Sequence, residues 1–153
     1  MKISDILNKD NIELLPNISS KAALVDKLIE IAARTGKILD IEEVKKQVWE
    51  REKLMSTGVG KGIALPHAKT NHIADETGAL IILKQGVEFE SLDDKPVNIA
   101  FLLIGKENNV GNHLRLLSKI SRLLNNEYLR SNIIEAKTKN EILSLFDEFE
   151  ESE

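Results

Sequence analysis

Cysteine is absent from the 153 residues, so neither a disulfide framework nor thiolate chemistry is open to the chain. That agrees with a reducing, cytoplasmic setting. Long apolar runs are missing too. The longest, Ala79–Leu83 and Ile99–Ile104, fall far short of the roughly 20 residues that cross a bilayer, so no membrane insertion is expected. Met1 is followed by Lys2-Ile3-Ser4-Asp5, with no apolar block and no small-residue cleavage site, and no signal peptide is expected. Positive charge is not in excess. With 21 Lys and Arg against 25 Asp and Glu, the formal net charge of −4 argues against the basic patch on which non-specific nucleic-acid binding rests. No internal repeat, low-complexity block or Pro/Ser-rich linker divides the chain, so residues 1–153 are read as one domain. Its acidic end, 147–153, is expected to fray.

What is present is ordinary globular material: 42% hydrophobic and 30% charged residues. A domain of this size buries roughly 70% of the surface its unfolded form exposes. Ser19 and Ser20 stand before Leu24, Leu28, Ile31 and Ala32, which recur at helical spacing until Gly36. Asp40 with Glu43 resembles a capping box, followed by Val44, Val48 and Trp49 on one side of a second helix. Two mostly apolar runs, Ala79–Leu83 and Val97–Ile104 (broken only by Asn98), read as strands buried on both faces. Between them Gly86-Val87-Glu88-Phe89 reads as a shorter edge strand, and Asp93-Asp94-Lys95-Pro96 as a turn. The last third is helical. Leu114, Leu117, Ile120 and Leu124 are expected to share a face, Tyr128 to Ala136 forms a shorter segment, and Thr138 with Glu141 caps a final helix. The expected architecture is an α/β three-layer sandwich with a mixed sheet of about four to five strands flanked by helices. Strict βαβ alternation is missing, which disfavours a doubly wound nucleotide fold.

The unusual stretch runs from Arg51 through Ser56-Thr57-Gly58-Val59-Gly60-Lys61-Gly62-Ile63-Ala64-Leu65-Pro66-His67. Glycines at alternate positions let the backbone enter conformations closed to other residues and can turn N–H groups toward an anion. Ile63-Ala64-Leu65 then reads as a short strand that Pro66 terminates, placing His67 just past a strand end. A phosphate-binding ATPase loop is excluded, because Lys61 is followed by Gly62 where Ser or Thr is needed. The dinucleotide pattern fails as well, with isoleucine at 63 in place of its third glycine.

Arg51-Glu52, Ser56-Thr57-Gly58, Gly60 and Gly62-Ile63-Ala64-Leu65-Pro66-His67-Ala68 together resemble the active-site signature of a known family. It is the fructose/mannitol-type (type 2) enzyme IIA domains of the bacterial phosphoenolpyruvate-dependent sugar phosphotransferase system. Asp93-Asp94-Lys95-Pro96-Val97 and Asn112-His113-Leu114 also look like their counterparts there. Two positions depart from the pattern. Asp94 stands where a glycine is common, and Met55 where a smaller residue is common.

The resemblance implies a phosphoryl carrier that receives phosphate from phospho-HPr on Nε2 of His67 and passes it to an enzyme IIB domain on another chain during sugar uptake. A strand-end histidine bonded to a carbonyl is the structural alternative. His113 becomes the second active-site histidine, helped by the positive end of its helix, or else a histidine at a helix start. Arg51 would steady the phosphoryl group, or merely complement its helix dipole or pair with Glu52. Thr57 and Ser56 are candidate phosphate-binding hydroxyls, with turn formation the alternative. His72 reads as a solvated loop residue. Val59, Leu65 and the first turn after His113 are candidates for an apolar rim that docks partners. No metal is expected, since two histidines without cysteine fall short of a zinc ligand set, and no cofactor is expected. The runner-up function is the nitrogen-related regulatory branch of the same family. A degenerate anion-binding domain is a third reading, disfavoured by the intact Pro66-His67.

Overall fold

A computed structural model describes residues Met1–Glu153. In chain order it contains β1 (Ile12–Leu14), α1 (Lys21–Ala33), α2 (Ile41–Leu54), β2 (Gly58–Gly60), β3 (Ile63–Ala64), β4 (His67–Thr70), β5 (Thr77–Val87), β6 (Val97–Lys106), α3 (Val110–Leu124), α4 (Glu127–Glu135) and α5 (Lys139–Glu151). The two apolar runs become the central strands. β5 and β6 pair antiparallel, with Thr77 opposite Ile104 and Ile82 opposite Ile99. Successive residues of a strand point to opposite faces. Ala79, Ile81, Ala100 and Leu102 therefore pack with Leu24, Leu28, Val44 and Val48 of α1 and α2. Leu80, Ile82, Phe101 and Leu103 pack with Leu116, Ile120, Ile133 and Phe146 of α3, α4 and α5. Helices cover both faces, which is why these strands read as continuous hydrophobic sequence. The expected three-layer α/β sandwich is borne out.

The sheet has six strands, more than the sequence pattern suggests, in the order β1-β5-β6-β3-β2 with β4 also on β6. β1 lies parallel to β5, and β3 and β4 lie parallel to β6, so the sheet is mixed. Gly86-Val87 does not open a separate edge strand. It ends β5, with Val87 opposite Val97 across an irregularity in the ladder.

Local signals fix the helix starts. Ser20 accepts from Ala23 N (3.1 Å), Asp40 from Glu43 N (3.2 Å), and Thr138 from Glu141 N (3.1 Å). Two readings are corrected. The buried face of α3 carries His113, Leu116, Ile120, Leu123 and Leu124, whereas Leu114 is 59% exposed. The acidic end expected to fray from 147 is helical through Glu151. There Glu150 accepts from the Ile3 amide (3.0 Å) and pairs with Lys119 (3.3 Å), tying the last turn to the start of the chain. No helix is long and apolar enough to cross a membrane.

Candidate active site

β3 and β4 run in tandem along one edge of β6. Ile63 and Ala64 stand opposite Ile99 and Ala100, and after a break His67 stands opposite Leu103. The break is Pro66, which has no amide hydrogen to give the ladder. Its carbonyl still accepts from Leu103 N (3.0 Å), so pairing resumes at the next residue. His67 therefore opens a strand instead of lying beyond one. The glycine segment before it is a hairpin of β2 and β3, with Gly60, Lys61 and Gly62 all at positive φ. Two of its amides are used inside the protein: Gly58 N donates to Ser56 Oγ (3.1 Å) and Lys61 N to Asp93 Oδ2 (3.0 Å), which braces the turn. Asp94, in the neighbouring turn, sits at φ +59°, a geometry that Asp tolerates where glycine is the easier choice.

The half-buried His67 ring has Nδ1 2.8 Å from the Leu65 carbonyl oxygen. A carbonyl only accepts, so the neutral ring keeps its hydrogen on Nδ1 and leaves a lone pair on Nε2. Its pKa lies below 6.5. Burial is the main cause; the Leu65 bond opposes it, the Arg51 charge adds to it, Glu52 opposes and Lys69 adds. This favours the neutral ring at neutral pH.

His113, in the first turns of α3, brings its ring to 5.9 Å from His67, tilted by 48°. It rests on Gly105 of β6, where any Cβ would collide with its Nδ1. The residue is 3% exposed, and Nδ1 has no hydrogen-bond partner. Burial first, then the charges of His67 and Lys69, push its pKa down to about 4. Both histidines are thus uncharged at pH 7.

Arg51 lies in the last turn of α2 and donates from Nη1 to the Met55 carbonyl (3.1 Å), so it closes the helix end while its charge reaches His67. Glu52 is not its partner. That carboxylate is buried, pairs with Lys21 (3.0 Å) and accepts from Thr57 N (2.9 Å) and Thr57 Oγ1 (2.6 Å). Ser56 Oγ donates to the Phe89 carbonyl (2.8 Å). Both hydroxyl hydrogens expected to bind phosphate are therefore donated within the protein. Leu65, expected on the rim, is 5% exposed and belongs to the core, while Val59 (47%) and Leu114 (59%) are exposed. The sequence pattern missed Gly105 and Lys21 as neighbours of this machinery, since neither lies in the motif.

A neutral histidine with a bare Nε2, a second neutral ring beside it and an arginine within electrostatic reach are thus gathered at one place. The family model for the phosphoenolpyruvate-dependent sugar phosphotransferase system, EIIA 2, matches residues 5–149, and the chain belongs to that family. It is 32% identical over 146 residues to the PTS system fructose-specific EIIA component of Haloferax volcanii, covering 95% of each. It is 34% identical over 148 residues to the PTS system fructose-specific EIIABC component of Bacillus subtilis. That match takes in 97% of this chain and spans 23% of the longer protein. Among solved structures, nitrogen regulatory protein IIA-Ntr from Neisseria meningitidis superposes with a TM-score of 0.87 at 31% identity, covering 94% of this chain and 98% of that one. The IIA chain in the Escherichia coli complex of enzyme IIA-Mtl with phosphorylated IIB-Mtl superposes with a TM-score of 0.80 over 92% and 96%. At 19% identity that is a likeness of fold.

Proposed function

We propose that this chain is a cytoplasmic phosphoryl carrier in which Nε2 of His67 takes phosphate from phospho-HPr and hands it to an enzyme IIB domain on another chain. The observation that carries the reading is the 2.8 Å contact between His67 Nδ1 and the Leu65 carbonyl, which leaves Nε2 as the free nucleophilic end. As the Nε2–P bond forms, the donor's P–N bond breaks. No proton has to move, because Nδ1 keeps its hydrogen and the positive charge arising on the ring is stabilised by the Leu65 carbonyl. Low basicity at pH 7 keeps the acceptor neutral beforehand. Neutral His113 can donate a hydrogen bond to the phosphoryl oxygens, and Arg51 supplies positive charge from the end of α2. Ser56 and Thr57 fasten the hairpin, their hydroxyl hydrogens going to the Phe89 carbonyl and to Glu52. Exposed Val59 and Leu114 form part of the rim on which partners dock.

The IIB acceptor is supported by the fold shared with the IIA chain of the Escherichia coli complex. A regulatory reading, in which the phosphorylation state controls other proteins, is favoured by the likeness to IIA-Ntr of Neisseria meningitidis. Incubation with phosphoenolpyruvate, enzyme I, HPr and candidate IIB partners, following labelled phosphate, tests both. Label is expected to enter the wild type, to be absent from His67→Ala, and to be lost in acid but kept in mild alkali. Label that moves on to IIB supports transport, and label that no IIB removes supports regulation. An acid-stable label on Ser56 or Thr57 would refute the carrier mechanism.

A further inference from the structure

The Leu65 carbonyl that fixes the His67 ring is itself held by a chain of hydrogen bonds that leads out of the motif. Leu65 N donates to the Thr57 carbonyl (2.9 Å). Thr57 is gripped in turn at its amide (2.9 Å) and its hydroxyl (2.6 Å) by the two oxygens of Glu52. Glu52 lies on the last turn of α2, and its side chain is 2% exposed. A carboxylate so far from water needs its charge compensated. The compensation is Lys21, the first residue of α1, whose Nζ stands 3.0 Å from Glu52 Oε1, 3.3 Å from Glu90 and 4.7 Å above the Phe89 ring.

We infer that Lys21 and Glu52 are positioning residues for His67: by fastening Thr57, they fix Leu65 and hence the ring tautomer that leaves Nε2 bare. This rests on the reading of His67 as phosphoryl acceptor. From Glu52 to Leu65 every link is short and each donor has one acceptor, so a shift of the Glu52 carboxylate reaches Leu65 through hydrogen bonds alone, while Lys21 is shared between Glu52 and Glu90. Arg51 is the immediate neighbour of Glu52, so the same anchor sets the helix turn from which the guanidinium acts. The arrangement is costly for mere stability, since a buried ion pair seldom outperforms apolar residues of the same size. It does suit a site where the direction of one carbonyl decides which nitrogen reacts. The Glu52 charge also supports His67 basicity against Arg51.

The test uses Lys21→Met, Glu52→Gln, their double variant and Lys21→Arg in the full chain. The nitrogen-15 spectrum of the unphosphorylated His67 ring reports the tautomer, and phosphoryl uptake from phospho-HPr reports the rate. Fluorescence of the single tryptophan, Trp49, which lines the cleft beside Lys21 and Glu52, reports the fold. The wild type is expected to show hydrogen on Nδ1. Lys21→Met and Glu52→Gln are each expected to shift the ring toward the Nε2–H form and to slow uptake by roughly tenfold or more, the scale of a small misplacement of a reacting group. The double variant is expected to be no slower than the slower single one, since both cut the same chain. Lys21→Arg, which keeps the charge, is expected to retain the wild-type tautomer. An unchanged tautomer or an unchanged rate in folded Glu52→Gln would overturn the inference, and that variant decides alone if Lys21→Met does not fold. A wild type that takes no phosphate would sink the carrier reading instead, and the nitrogen-15 comparison would still decide whether the relay holds the ring.

Discussion

Gly105 owes its importance to a missing side chain. A glycine inside a strand weakens it and often marks a place where another group approaches closely. Here that group is the ring of His113, which occupies the space a Cβ would need. Gly105→Ala is therefore expected to push the second histidine off the first. Uptake onto His67 should persist, while transfer slows by roughly ten- to a hundredfold, the equivalent of one lost hydrogen bond to a charged group, about 1.5–3 kcal/mol. Placing Gly105→Ala on top of His113→Ala should slow transfer no further, because the ring it displaces is already gone. Rapid-quench transfer assays on the three variants check this, and wild-type transfer by Gly105→Ala would remove the close packing from the mechanism. At this scale the sequence names candidate side chains and is silent about what holds them. His67 was legible from Leu65-Pro66-His67, but the acceptor for its Nδ1 is a main-chain carbonyl, which no side-chain pattern reveals. The partners of Thr57 and Ser56 were hidden for the complementary reason. A hydroxyl beside a glycine loop looks free until the fold brings Glu52 and the Phe89 carbonyl to it.

The helices and the short strands differ in where their information lies. Ser20, Asp40 and Thr138 cap helices through bonds that span three residues, so both partners are visible in a short window of sequence. Removing one such cap should cost stability without touching the site. Asp40→Ala is expected to lower the unfolding free energy by about 1 kcal/mol with an unchanged urea m-value, and to leave phosphoryl uptake at the wild-type rate. Arg51 and Glu52 lie at the other end of the same helix, so a fall in uptake would mean that α2 frays along its whole length. The strands β1, β2 and β3, at two to three residues each, carry no readable period. β1 and β3 exist because β5 and β6 offer edges to them, and β2 folds back onto β3. β4 was hidden by Pro66, whose missing amide looks like a terminus but costs only one rung. Leu114 was misassigned because helical spacing admits more than one face, and it is the packing of His113 over Gly105 that selects the buried one.

Taken whole, the molecule keeps two uncharged histidines at one end of a sheet covered on both faces, and this makes its stability depend on pH. His113 has a folded pKa of about 4 against the ordinary 6.5, because burial and the neighbouring His67 and Lys69 oppose its charged form. Between those values the unfolded chain binds more protons than the folded one, so stability rises with pH across the window. The contribution is complete above about pH 6.5 and is lost as pH falls toward 4. For His113 alone it amounts to at most about 3.5 kcal/mol, at about 1.4 kcal/mol for each pH unit of separation. His67, also shifted downward, adds with the same sign. Asp75 and Asp93, both held below 3.8, act at the acid edge of this range, where their stabilisation is lost on protonation. Urea unfolding at pH 7, 5.5 and 4.5 should therefore show a steady loss of stability above the acid edge where Asp75 and Asp93 act. His113→Gln, which keeps a polar group of similar reach but cannot titrate, should flatten most of that slope while leaving the acid-edge loss in place. An unchanged slope in His113→Gln would mean that the folded state accepts the proton on His113 at its ordinary pKa, and that the ring is not held dry against Gly105.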